Sequence, residues 1–282
     1  MAQELRGKPV ADAISDNLVP RIDALKEHGV VPTLAILRVG EREDDLSYEH
    51  AAMKRCENLG IGVRNFVLPA NCSQEELIAA VNEINQDDTI HGCLVFRPLP
   101  SHLDDEEVCE TLLPSKDVDG ITPGSIFGVF AHDPIGFPPC TAAACIEMLK
   151  HYGVALEGAR VTVVGRSLVV GKPVAMMLQD ENATVTMCHT RTQDLAAECK
   201  ASDIVVVAAG HKGTVGAEAV RPGQVVIDVG INWCDEDQKL CGDVVYSEVE
   251  PIVDAVTPVP GGVGSVTTAI LVKHVVEAAE QQ

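Results

Sequence analysis

Short apolar runs alternating with stretches of helical periodicity constrain this chain more than any other feature. Pro32–Gly40 (PTLAILRVG), 61–69 (IGVRNFVLP) and 91–100 (HGCLVFRPLP) are three such runs in the first hundred residues. The first is a short apolar run typical of a strand buried in a parallel sheet, the second reads as the next strand, and the third as a strand running into a proline-rich turn. Between them lie helical segments. Ile14, Leu18, Ile22 and Leu25 recur at helical spacing before a stop at Gly29. A second helix carries Tyr48 and ends at Gly60, and Ser73 with Glu76 forms a capping box opening a third, through Ile84. This βαβα order predicts an α/β fold with a parallel sheet covered on both faces.

A second series begins at GARVTVVG and continues through ATVTMCH, SDIVVVAAG and QVVIDVG. Its spacing predicts a Rossmann-type dinucleotide-binding domain. The Gly- and Pro-rich stretch Asp117 to Thr141 reads as a loop-dominated crossover at the domain boundary. The expected division is residues 1–142 and 143–265, with a last helix over about Thr267–Glu280. No run reaches the ~18 apolar residues of a membrane span. The first residues, MAQELRGKPVAD, lack the apolar core of a secretion signal, and the ten cysteines form no CxxC pair. Together these predict reduced thiols and a cytoplasmic protein. A net charge of −21 argues against nucleic acid or an anionic membrane as partner.

The sharpest chemical signal is VTVVGRSLVVGKP, Val161 to Pro173. A strand runs into Gly165, and Gly171 opens the next helix with Pro173 in its first turn. Such a turn lets backbone N–H groups approach a pyrophosphate at the positive end of a helix. The glycines are six apart rather than in GxGxxG spacing, so a tight packing turn is the competing reading. Arg166 and Ser167 follow the strand, and a guanidinium there suits a ribose 2′-phosphate, hence NADP rather than NAD. After the next strand, where an NAD enzyme often carries an acid, stand Thr190 and Arg191. Both arginines could instead be merely solvated. TPVPGGVGSVT, Thr257 to Thr267, is too rich in Pro and Gly for a helix or a central strand and holds backbone close to a ligand or joins domains rigidly. In KDVDGITPGS, one of Asp117 and Asp119 is expected to turn the chain and the other to face a cleft.

The ordered set PLP, KDVDG, PCT, VVGRSxxVGxP, VIDVGIN, GDV and TPVPGGVG resembles the methylenetetrahydrofolate dehydrogenase/cyclohydrolase family (FolD type) from residue 3 to residue 278. The resemblance implies two α/β domains with a cleft between them, a last helix (266–282) that returns to the first domain, and a homodimer. It implies a tetrahydrofolate derivative as substrate, NADP (or NAD) as cofactor and no metal. It places Tyr48 and Asp119 as catalytic residues. Tyr48, Phe96, Pro98, Leu99, Asp119, Pro260, Gly261 and Gly262 fall at substrate-binding positions. Gly165, Arg166, Ser167, Gly171, Thr190, Arg191 and Ile231 fall at cofactor-binding positions.

Two positions depart from the family pattern where chemistry is concerned. The family carries a lysine four residues after the tyrosine, where this chain has Ala52, and a glutamine before the PLP turn, where it has Phe96. Lys54 cannot substitute. Four residues advance about 40° around a helix, whereas six advance about 240°, nearly to the opposite side. Ala142, Ser265–Val266 and one extra residue near 125–127 are further departures. Hydride transfer needs mainly alignment of donor and acceptor. Hydrolysis of the methenyl cation needs an acid/base worth roughly 10²–10⁴-fold. The expectation is therefore a dehydrogenase with weak or lost cyclohydrolase. The alternatives are a bifunctional enzyme using Arg97 or His50, and a non-catalytic binder of folate or nucleotide.

Overall fold

The computed structural model describes residues 1–235 and 238–282, the side chain of Asp44 excepted. In chain order, β1 (Gln3–Glu4) and α1 (Gly7–Glu27) lead into β2 (Thr33–Val39), α2 (Glu43–Leu59), β3 (Gly62–Leu68), α3 (Gln74–Gln86), β4 (Gly92–Val95) and α4 (Asp105–Thr111). Next come α5 (Pro123–Ala131), α6 (Cys140–His151), β5 (Arg160–Val164), α7 (Gly171–Asp180), β6 (Thr184–Cys188), α8 (Leu195–Lys200), β7 (Ile204–Val207) and β8 (Val225–Asp228). The chain closes with β9 (Asn232–Cys234), β10 (Lys239–Cys241), α9 (Tyr246–Val249), β11 (Ala255–Val256) and α10 (Thr267–Gln281).

Two compact units result. One comprises Asp12–Cys140 with Thr268–Gln282, and the other Met1–Ala11 with Thr141–Thr267. The last helix thus groups with the first unit's strands. The first eleven residues group with the second unit, because β1 pairs in parallel with β11 there.

In the first unit β2 is central, with β3 and β4 parallel on either side. Alternation along β2 sends Ala35, Leu37 and Val39 into a core with Leu77, Val81 and Ile84 of α3 and Val108 of α4. The opposite face is approached by α10, where a Cβ on Gly92 would meet Val275 at 3.2 Å. The sheet is therefore covered on both sides, as a parallel sheet requires. The Ser73–Glu76 capping box opens α3. Gly60, in the left-handed region at φ 67°, closes α2.

The second unit holds six parallel strands in the order β1-β11-β8-β7-β5-β6. Chain direction across the sheet reverses at β5, which lies between β6 and β7. That is the switch point at which open α/β sheets bind ligands, beyond the carboxyl ends of their strands. β9 and β10 form a separate antiparallel pair.

Residues 117–141 are loop over more than half their length, as expected, but they also hold a helix that the sequence reading did not place, α5, which occupies nine of them. Thr122 caps it by accepting the Ser125 N–H, and Pro123 takes the first helical position, where a missing N–H costs nothing. The proline that reads as a loop signal is here a helix start. The loop 257–267 also contains a short 3₁₀ turn at Val263–Ser265. No helix among the described residues is long and apolar enough to cross a membrane. All ten cysteines are free thiols, and nine are buried.

Candidate functional site

In the first unit the candidate residues gather at the carboxyl ends of β2 and β4. The buried stripe of α2 is Asp45, Glu49, Ala52 and Cys56, and Tyr48 stands half-buried at its edge. The Tyr48 ring meets Phe96, just past β4, edge to face with centroids 6.1 Å apart. Ala52 shares Tyr48's side of the helix and is fully buried at 0% exposure, whereas Lys54 and His50 are exposed. Arg97 is engaged elsewhere. Its Nε donates to Asp105 Oδ1 at 2.7 Å, and that hydrogen bond raises the guanidinium's pKa further. Pro98 is exposed, and its carbonyl accepts from Arg42 Nη1 at 3.0 Å. Leu99 packs on the α3 core cluster.

The two aspartates of the KDVDG loop divide their roles. Asp117 is fully buried and accepts the Ile121 and Thr122 N–H groups at 3.0 and 2.7 Å, so it turns the chain. Asp119 is half-buried, and burial pushes its carboxyl up to about 6, helped by the charge of Asp117. Hydrogen bonding by Cys140 and the charge of Arg97 pull the other way. The Cys140 thiol is itself driven far up by burial, stays protonated, and donates to the Val118 carbonyl at 3.2 Å. His274 Nδ1 lies 2.9 Å from the same carbonyl and so carries the ring proton, and its ring stacks on Phe137. Cys140 and His274 thus wall in the Asp119 loop. Sequence reasoning named neither for this.

In the second unit the turn after β5 is shaped chiefly by its glycines. Gly165 has φ 131°, and a Cβ there would overlap the Ala208 carbonyl oxygen. A Cβ on Gly171 would overlap the carbonyl of Gly165, so the turn folds back onto the start of α7. Ser167 Oγ accepts the Val170 N–H at 3.2 Å, and Arg166 and Ser167 are exposed. Gly165 N–H reaches Cys188 O at 2.9 Å, so the turn sits beside the loop following β6. There Thr192 Oγ1 accepts the His189 N–H and His189 Nδ1 accepts the Arg191 N–H, which presents Thr190 and Arg191 outward. Neither Arg166 nor Arg191 has a carboxylate partner among the described residues.

The same unit brings Ile231 together with Pro260, Gly261 and Gly262 around a cavity of about 240 Å³, also lined by Leu240 and Asp228. Ile231 is 64% exposed. The floor is held by two buried acids. Asp228 accepts N–H groups from Gly230, Asp243 and Val244, each at 3.0 Å, and burial raises it to about 6. Asp243 accepts from Ala209 and Gly210 at 2.7 and 2.8 Å and from Asn232 Nδ2 at 2.9 Å. They fix the loops after β7 and β8. The sequence signal for them is the acid in VIDVGIN and in GDV, motifs read above only as parts of a pattern. A second feature missed is Arg38, a charge within the apolar run LAILRVG. It is 7% exposed and paired with Glu49 at 2.7 Å.

Comparison with known proteins gives consistent matches. The family model for the tetrahydrofolate dehydrogenase/cyclohydrolase catalytic domain matches residues 5–119, and that for the NAD(P)-binding domain of the same family matches 139–282. A relative from Carboxydothermus hydrogenoformans named "Bifunctional protein FolD" is 53% identical over 99% of this chain and 98% of its own length. Among solved structures, the bifunctional FolD enzyme of Campylobacter jejuni superposes with TM-score 0.96 at 37% identity, covering 100% of this chain and 99% of that one. The Trypanosoma brucei methylenetetrahydrofolate dehydrogenase-cyclohydrolase, solved with NADP and an inhibitor, gives 0.93 at 35% identity over 99% and 98%.

Proposed function

The chain belongs to the tetrahydrofolate dehydrogenase/cyclohydrolase family, and from that premise we propose that it is an NADP-dependent 5,10-methylenetetrahydrofolate dehydrogenase whose cyclohydrolase step is weak or lost. The observation that carries the loss is Ala52, a fully buried methyl on Tyr48's side of α2, with Phe96 rather than an amide against the tyrosine ring. Among the described residues, no lysine takes that place, and the nearby carboxylate of Glu49 is paired with Arg38. His50 is exposed, and Arg97 is held by Asp105 and stays protonated.

The remaining residues suit hydride transfer. The bridging carbon of methylenetetrahydrofolate gives up a hydride while a ring-nitrogen lone pair fills the emptying orbital, leaving the methenyl cation. NADP, when bound, supplies the hydride acceptor at its nicotinamide ring. Asp119 is the acceptor for pterin N–H groups, and Tyr48 with Phe96 gives the ring a dry wall that orients it. The turn 165–171 fits a dinucleotide, because its glycines keep Cβ atoms out of a backbone cradle at the start of α7. Arg166, Ser167, Thr190 and Arg191 form its exposed rim and suit a 2′-phosphate. Pro260–Gly262 and Ile231 are assigned to the substrate and nicotinamide ends. The family also suggests a homodimer in the cytoplasm, which sedimentation and fractionation would check.

A second reading, with both activities intact, is favoured by the names of the relatives, which call them bifunctional. A paired assay decides. Purified protein is given methylenetetrahydrofolate with NADP or NAD, and separately methenyltetrahydrofolate, each followed by absorbance. Reduction of NADP with methenyl hydrolysis at the buffer rate is the expected result. Rapid hydrolysis establishes the bifunctional reading. No reduction of either cofactor leaves only a non-catalytic binder.

A further inference from the structure

We propose that the buried Arg38–Glu49 pair is matched in charge so that the folate site stays even-handed between a neutral bridge and a cationic one, a balance that holds only while both members, or neither, are charged. The inference rests on the folate reading given above and adds to it a role for that pair.

The placement follows from register. Leu37 pairs with Val95 across β2 and β4, and the Phe96 N–H donates to the Leu37 carbonyl at 3.0 Å. Leu37 and Val95 both point into the α3 core. By alternation Arg38 and Phe96, the next residues on neighbouring strands, share the other face. Phe96 touches Tyr48. Glu49 follows Tyr48 and precedes Ala52 by one helical turn, on the buried stripe of α2. Arg38 Nε donates to Glu49 Oε2 at 2.7 Å, and its Nη1 is hydrogen-bonded to the Gly40 carbonyl. The pair therefore lies beneath the helix that carries Tyr48, beside the place Ala52 leaves without a charge. Other charges close by in sequence or across the turn are matched among themselves: Arg42 with Asp45, and Arg97 with Asp105.

Both members are 7% exposed. A buried pair of this kind is seldom more stabilising than apolar residues of the same volume, so stability is a weak reason for it to be there. Its electrostatic effect on the reaction is direct. Substrate and product of the dehydrogenase differ by one hydride, hence by one positive charge at the bridging carbon. Intact, the pair is close to neutral for either. With one member neutralised, the other faces the site as a net charge. The two single changes must then act in opposite senses, which a purely structural role would not do.

The test measures dissociation constants for methylenetetrahydrofolate and methenyltetrahydrofolate, without nicotinamide cofactor, in wild type, Arg38→Gln, Glu49→Gln and the double variant Arg38→Met/Glu49→Leu. Arg38→Gln is expected to shift the methenyl-to-methylene affinity ratio toward the cation by about 3–10-fold, and Glu49→Gln away from it by a similar factor. The double variant is expected to melt like the wild type and return the ratio to within about twofold of it. Glu49→Gln is isosteric and keeps an acceptor for Arg38, so it retains the fold even where Arg38→Gln does not. An unmoved ratio in Glu49→Gln, or single variants shifting in the same direction, overturns the inference and leaves the dehydrogenase reading standing. Wild-type protein that binds neither folate overturns both.

Discussion

At the end of β5 the chain shapes the proposed cofactor turn chiefly through glycines, with one side-chain bond from Ser167, whereas at the end of β4 the proposed site rests on side chains. Gly165 and Gly171 are constrained by overlap with backbone atoms, of Ala208 and of Gly165 itself. Almost any replacement there moves main chain. Ala52 and Phe96, by contrast, are ordinary core residues in ordinary helical and extended backbone. On the proposed reading, exchanging them would alter chemistry rather than main-chain path. Backbone-built sites resist drift because their failure is structural. Side-chain-built sites can lose one step of a two-step reaction and keep the other.

Gly165→Ala should break the comparison most severely. A residue forced to φ 131° with its Cβ against a carbonyl is expected to cost about 3 kcal/mol or more. Thermal unfolding and NADP titration would show a lowered melting point and lost binding. Retained NADP affinity would mean that the turn is only a packing device. Ala52→Lys with Phe96→Gln probes the other side. It should raise methenyl hydrolysis by about 10²-fold or more while dehydrogenase activity stays within severalfold. A double variant that folds and reduces NADP but hydrolyses methenyltetrahydrofolate no faster than the wild type would overturn the proposed role of these positions.

Smaller effects sharpen the contrast. Arg166→Gln and Arg191→Gln should each raise the KM for NADP by about tenfold and leave that for NAD nearly unchanged, since a charge-assisted bond to phosphate is at stake. Equal effects on both cofactors would remove the 2′-phosphate from the account. The smallest effect concerns pH. Asp119 has its carboxyl raised to about 6, so it loses its charge as pH falls through that value. The folate KM should be flat above about pH 6 and rise severalfold below it. Asp119→Asn should give a high, pH-independent KM, and a profile unchanged by that substitution would assign the inflection to another group.

The same distinction governs what could be read before any coordinates. Seven of the strands announce themselves: the central ones because a strand buried in a parallel sheet is apolar along its length, and the edge strands β3 and β6 by their β-branched and aromatic residues between helical segments. β1 and β11 are invisible for the converse reason. Two residues each, they exist only through pairing between positions 3 and 255. The glycine turn was legible because φ 131° excludes other residues. The division of labour between Asp117 and Asp119 was legible only as a pair, since which carboxylate meets the Ile121 and Thr122 N–H groups is a matter of loop path. Pro123 misled, as a proline marks a helix start as readily as a loop. Arg38 was in plain sight within LAILRVG, yet a buried charge gains meaning only once its partner eleven residues on is known.

The interleaving of the two units bears on how the chain emerges from the ribosome. Residues 12–140 are translated as one stretch, but their unit lacks α10 until Thr268–Gln282 has been made. β1 waits more than two hundred positions for β11. Neither unit is one continuous stretch of chain, so no single cut in the gene separates them. A message truncated ahead of α10 would strand β2, β3 and β4 with an uncovered apolar face, an invitation to chaperones and proteases rather than a shorter enzyme.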